Sequence, residues 1–177
     1  MGTIHLITGG VKSGKSSYAV RLANDLAGDN PVRFIATAHR GIGDESLDRR
    51  IDRHIEERPS HWTLFEPPTE IVESVTKPGD EVATVLDCVT LWIGDLMTAP
   101  DYDQATGTSY EVIRLIKSLQ SSERSTLVIT NEVGSGIAPP TVIGNDYADE
   151  LGTANRLIAN AADRVRLLVA GQALRIK

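Results

Sequence analysis

The chain has 177 residues, a formal net charge of −6 and a sequence pI near 5.2, and no run of Lys or Arg forms a basic stripe. That balance argues against binding nucleic acid through phosphate neutralisation and points to a small-molecule partner. The length suits one domain over residues 1–177 with a substantial core. There is no apolar span of about 18 residues and no charged-then-apolar leader, so the expectation is a cytoplasmic protein with no membrane span.

In chain order, Thr3 to Thr8 is a short apolar run that reads as a strand, and Ser17 to Ala27 carries apolar residues at helical spacing. Val32 to Thr37 reads as a second strand, and Ser46 to Glu57 as a charged helix stopped by Pro59. Trp62 to Glu66 is a short extended piece, followed by a helix around Glu70 to Val75 and a turn at Lys77-Pro78-Gly79-Asp80. Val82 to Asp87 is nearly all apolar, as a strand in a parallel sheet covered on both faces must be. Helices are expected over Leu91 to Met97 and Tyr110 to Gln120, and Thr126 to Thr130 is another buried strand. A long loop, Asn131 to Gly144, precedes a helix from about Tyr147 to Ala162; Val165 to Val169 is the last clear strand, and Gln172 to Lys177 adds a short edge strand. This alternation predicts an α/β fold, a mostly parallel sheet with helices on both faces, and ligands at the carboxyl ends of its strands.

Between the first strand and the first helix stands Gly9-Gly10-Val11-Lys12-Ser13-Gly14-Lys15-Ser16, a match to G-x-x-x-x-G-K-[ST] in the context that makes the pattern meaningful. Each residue type has its own reason. Glycines let the backbone turn its N–H groups towards oxyanions, the helix behind offers its positive end, Lys15 neutralises the outer phosphates, and the Ser16 hydroxyl is a ligand for Mg²⁺. The sequence is therefore that of a nucleoside triphosphate binder with a phosphate-loop, RecA-like fold.

The other candidates fall at strand ends. Asp87 closes the most apolar strand, where a carboxylate holds the magnesium shell in phosphate-loop proteins; the alternative is a helix N-cap. Glu132 either lines the same crevice or is a solvated loop acid. The lone Cys88 lies in an apolar run and reads as a buried packing thiol rather than a nucleophile. His54 sits in a helix end crowded with charge; an imidazole is a good nucleophile, while a histidine on a polar helix face is ordinarily just solvated. His5, His39 and His61 take the same solvated reading, and no pair of the four histidines has zinc spacing.

Four groups of residues together resemble the bifunctional adenosylcobinamide kinase / adenosylcobinamide-phosphate guanylyltransferase family. They are Thr8 to Ser16, Ile35-Ala36-Thr37-Ala38, the spaced set Arg50, Ile51, His54, Arg58, Pro59, Trp62 and Glu66, and Thr130-Asn131-Glu132-Val133-Gly134 with Gly136 and Ile137. Asp149, Gly152, Asn155, Ala161, Ala162, Asp163 and Val165 extend the likeness towards the C-terminus.

The resemblance implies two reactions. A nucleoside triphosphate, ATP or GTP, phosphorylates the hydroxyl of the aminopropanol arm of adenosylcobinamide. A histidine, matched by His54, then attacks the α-phosphorus of GTP and passes GMP to the substrate phosphate, giving adenosylcobinamide-GDP in cobalamin biosynthesis. It also implies nucleotide contacts from Gly9, Gly10, Val11, Lys12, Ser13, Gly14, Lys15 and Ser16, from Ala36, Thr37 and Ala38, from Ile55, Glu56, Glu57 and Arg58, and from Glu66 and Asp87. Ser16 and Asp87 would hold Mg²⁺, and the enzyme would be a homotrimer. The chain departs from its relatives in having Arg53 before His54 where they often have a second histidine, Asp87 where Glu is frequent, and Asn145, Ala148 and Arg156 where arginines and a glutamine are expected. Two other classes fit the phosphate loop by itself: a kinase of another small molecule without a covalent histidine, and a non-catalytic nucleotide-binding regulator.

Overall fold

A computed structural model describes residues 2–38, 51–52, 58–66 and 70–177. The strands are β1 (Ile4–Gly9), β2 (Val32–Ala36), β3 (Thr63–Phe65), β4 (Ala83–Asp87), β5 (Ser125–Ile129), β6 (Arg164–Val169) and β7 (Gln172–Arg175). They form one sheet in the order β3-β2-β4-β5-β1-β6-β7, parallel throughout except for the terminal β6–β7 pair. The described helices are α1 (Lys15–Ala27), α2 (Ile71–Thr76), α3 (Val89–Thr98), α4 (Ser109–Ser121) and α5 (Val142–Ala161). Ile51 and Asp52 are also helical, while the rest of the helix expected over 46–57 lies outside the described residues.

The central strands are apolar along their whole length because alternate residues enter two different cores. On one face Ile7, Val85, Leu127 and Ile129 pack with Ala19, Ala23 and Ala27 of α1, alanines four residues apart that let the helix lie close to the sheet. On the other, Leu6, Ile35, Leu86 and Val128 pack against Val72 and Val75 of α2, Ile93 of α3, Leu115 and Leu119 of α4, and Leu151 and Ile158 of α5. Helices thus cover both faces. Among the described residues no helix is long and apolar enough to cross a membrane.

His5 and the start of α5 differ from the sequence reading: His5, expected to be solvated, is buried in β1 with Nε2 2.9 Å from Thr3 Oγ1. Helix α5 begins at Val142 rather than near Tyr147. Gly144 and Asn145 are weak helix formers, but the Thr141 hydroxyl accepts a hydrogen bond from Gly144 N at 3.2 Å and starts the helix one turn earlier. Arg33 is fully buried where an exposed strand arginine is the norm. Its guanidinium donates to Ser74 O at 2.8 Å, to Lys77 O at 2.5 Å and to Glu81 Oε2 at 2.7 Å, tying the turn after α2 to the entry of β2, the end of the sheet away from the phosphate loop.

Candidate active site

The phosphate loop connects β1 to α1 and its shape depends on two glycines. Gly9 has φ +149°, and a Cβ there would meet Leu168 O at 2.5 Å, so neighbouring β6 leaves room for no side chain. Gly14 caps α1 in the left-handed region at φ +94°. Lys12 also has positive φ, at 57°, a conformation that costs a residue with a Cβ roughly 1–2 kcal/mol. The loop is held from outside: Gly171 N donates to Ser13 O at 3.0 Å and Glu132 N donates to Gly9 O at 3.1 Å. It stands at the start of α1, whose first-turn N–H groups have no carbonyl ahead of them in the helix.

Lys15 is buried under this loop and donates through Nζ to Gly10 O at 2.6 Å. Burial holds its ammonium below the ordinary lysine pKa, opposed by the neighbouring Cys88 and Asp87. The cation therefore lies within electrostatic reach of the carboxylate at the end of β4. Strand order explains how: β5 separates β4 from β1, and the register aligns Asp87 with Ile129 and Ile129 with Ile7.

Asp87 is not a helix cap. The N-cap of α3 is Cys88, in extended conformation. Thr37, at the end of β2, fixes this corner through both backbone and hydroxyl. Its N donates to Asp87 O at 2.8 Å, its Oγ1 donates to Cys88 O at 2.8 Å, and the same oxygen accepts from Cys88 N at 2.7 Å. Burial pushes the Cys88 thiol up to about 11, with the Asp87 charge adding to the effect, in keeping with an inert thiol.

Behind Cys88 a polar network closes the edge of the sheet. Asn131 N and Nδ2 both donate to Thr90 Oγ1, at 2.8 and 3.1 Å; Asn155 Nδ2 donates to Asn131 O at 2.9 Å; Thr130 Oγ1 donates to Asn155 Oδ1 at 2.7 Å; and Tyr147 OH donates to Thr90 O at 3.0 Å. Burial raises the Tyr147 phenol to about 12. This network anchors the loop after β5 and the first turns of α5 to the start of α3. Sequence reading marked Asn131 and Asn155 only as parts of a motif and missed Thr90 and Tyr147, because the network joins residues as much as 57 positions apart.

The remaining candidates divide into those brought to this edge and those not described. Glu66 stands one residue beyond the Ile35–Phe65 pair, and Ala36 pairs with Asp87, so Glu66, Ala36 and Asp87 form a row along the carboxyl ends of β3, β2 and β4. The Arg58 guanidinium carbon lies 4.1 Å from the Phe34 ring centroid, and Phe34 in turn packs against Trp62 with centroids 6.2 Å apart. Two members of the spaced set are thereby fastened to β2, the strand whose end carries Ala36, Thr37 and Ala38. His54, Ile55, Glu56 and Glu57, like His39, lie outside the described residues. Ser16, in the first turn of α1, and Asp87 both sit at this edge. A hydroxyl and a carboxylate are the hard oxygen donors Mg²⁺ prefers, so the donor set suits that ion.

Comparison with known proteins identifies the family and the fold. The sequence profile described as cobinamide kinase / cobinamide phosphate guanyltransferase matches residues 5–176. The chain is 34% identical over 173 residues to the bifunctional adenosylcobalamin biosynthesis protein CobP of Pseudomonas aeruginosa, covering 97% of this chain and 96% of that protein. It is 34% identical over 186 residues to the protein CobU of Salmonella typhimurium, described in the same terms, covering 97% and 98%. Among solved structures, the flagellar accessory protein FlaH of Methanocaldococcus jannaschii superposes with a TM-score of 0.56 at 13% identity over 99% of this chain and 78% of that one. A KaiC-like protein of Pyrococcus horikoshii superposes with a TM-score of 0.53 at 16% identity over 94% and 70%. These last two likenesses concern the fold alone.

Proposed function

The chain belongs to the cobinamide kinase / cobinamide phosphate guanyltransferase family, and from that premise we propose that both reactions in this description run on the one phosphate loop. The observation that carries the reading is the Gly9–Ser16 loop itself, set between β1 and α1 with the Lys15 ammonium drawn in beside Gly10 O and near Asp87.

In the first reaction the hydroxyl oxygen of the aminopropanol arm of adenosylcobinamide attacks the γ-phosphorus of ATP or GTP. The bond from that phosphorus to the bridging oxygen breaks, and the nucleoside diphosphate leaves. The loop amides and Lys15 hold the phosphates and take up the charge that develops on them. In the second, a ring nitrogen of His54 attacks the α-phosphorus of GTP and pyrophosphate leaves. The phosphate oxygen of adenosylcobinamide phosphate then displaces the imidazole, giving adenosylcobinamide-GDP. Covalent catalysis suits this step, since it divides the meeting of two anionic phosphates into two displacements with better partners.

Ser16 and Asp87 would hold Mg²⁺, which when bound neutralises charge on the phosphate oxygens. Ala36, Thr37 and Ala38 on β2, Ile55 to Arg58, and Glu66 are the proposed contacts to the rest of the nucleotide. The same reading takes the enzyme as a cytoplasmic homotrimer without nucleic-acid partners.

The test is product formation by the purified protein. With adenosylcobinamide, γ-labelled ATP or GTP and Mg²⁺, the account expects labelled adenosylcobinamide phosphate. Further GTP should convert that product to adenosylcobinamide-GDP. A protein that binds nucleotide but forms neither product contradicts the proposal.

A further inference from the structure

We infer that Glu132 is the general base of the kinase reaction alone, an assignment that rests on the two-reaction reading above. The two acceptors differ in the proton they carry. The aminopropanol hydroxyl must lose a proton as its oxygen attacks, whereas a phosphate monoester is already ionised at neutral pH, its second pKa being about 6. An enzyme that uses both acceptors at one phosphate loop needs a base for the first and none for the second.

The geometry supplies one acid in the right place. Strand β5 runs directly beside β1, and as the chain leaves it Glu132 N donates to Gly9 O at 3.1 Å, which fastens this residue alongside the first glycine of the phosphate loop. The side chain is oriented by its own turn, with Oε1 accepting from Gly134 N at 3.2 Å. Among the described residues Oε2 accepts no hydrogen bond, and the carboxylate lies on an exposed residue, where an incoming substrate can reach it.

Among the described residues Asp87 and Glu66 also lie on this edge, and neither is placed as well. Asp87 interacts with Lys15 and Cys88 and is already taken as the proposed Mg²⁺ ligand. Glu66 follows β3, four strands from β1 in the sheet order, or about 19 Å at the usual strand spacing of about 4.8 Å. In the step itself the Glu132 carboxylate takes the hydroxyl proton as the oxygen–γ-phosphorus bond forms and the bond to the bridging oxygen breaks. The carboxylic acid then returns the proton to water.

Glu132→Gln tests the assignment, because it keeps the size and the exposed position while removing the basicity. The expected result is a loss of about 10²- to 10⁴-fold in kcat for phosphorylation of adenosylcobinamide. Nucleotide Kd, covalent labelling of the protein by α-labelled GTP and transfer of that label to supplied adenosylcobinamide phosphate should stay at wild-type levels. A variant that phosphorylates adenosylcobinamide at the wild-type kcat overturns the inference, and so does one that loses protein labelling in parallel with the kinase. Absence of kinase activity in the wild-type protein overturns the two-reaction reading itself, a result distinct from either.

Discussion

Thr37 and Cys88 are joined twice through a single hydroxyl, which donates to Cys88 O at 2.8 Å and accepts from Cys88 N at 2.7 Å. The peptide link that carries Asp87 out of β4 is therefore clasped by the strand end that carries Ala36, Thr37 and Ala38. The backbone that carries the proposed metal ligand and the proposed nucleotide segment meet at one side chain.

Replacing Thr37 by valine keeps the shape and deletes both bonds. Stability should fall by about 1–3 kcal/mol, the cost of leaving backbone groups of the Cys88 corner unpaired, as measured by denaturant unfolding. The Mg²⁺ concentration needed for half-maximal turnover should also rise, while Thr37→Ser, which retains the hydroxyl, should restore both properties. An unchanged Mg²⁺ requirement in a destabilised Thr37→Val protein would reduce the clasp to a purely structural role.

Lys15→Ala removes the cation under the phosphate loop. A charged hydrogen bond is worth about 1.5–3 kcal/mol, so nucleotide affinity should drop by roughly tenfold or more and both reactions should be lost together. Circular dichroism should report an intact fold, because the α1 contacts to the sheet are made by Ala19, Ala23 and Ala27. Wild-type affinity measured by calorimetry would contradict the assignment of Lys15.

Cys88 should be a slow nucleophile. With its thiol pushed up to about 11, the native protein at pH 8 holds almost no thiolate, and alkylation should speed up only as pH climbs towards that value. Denatured protein, whose thiol returns to the ordinary range, should react quickly at pH 8. Fast alkylation of the native protein, followed by mass spectrometry, would contradict the burial described for this corner.

Much of this was legible in the sequence, and the reasons are physical. Gly9 to Ser16 announced itself because the spacing of glycines, lysine and serine is set by local backbone geometry. The apolar runs ending in Asp87 and Thr130 could be read as strands because a parallel sheet covered on both faces needs no alternation. Strand order was beyond reach, and with it the insertion of β5 between β1 and β4 that carries Glu132 to the loop. The buried Arg33–Glu81 pair and the Thr90–Asn131–Asn155 network were also hidden, since each joins residues far apart in the chain whose types mark them as surface polar groups. The early start of α5 was missed because Gly144 and Asn145 argue locally for a loop, and the Thr141 cap overrides them.

The most direct measurement is covalent labelling with α-labelled GTP in the absence of corrinoid, followed by denaturing electrophoresis and peptide mapping. The account predicts one GMP on His54 through a phosphorus–nitrogen bond that is lost in mild acid and survives alkali. His54→Ala should take up no label, yet still phosphorylate adenosylcobinamide, because the kinase reaction uses Lys15 and the loop rather than a covalent histidine. Label mapped to His39, His61 or a lysine, or acid-labile label on the His54→Ala protein, would contradict it.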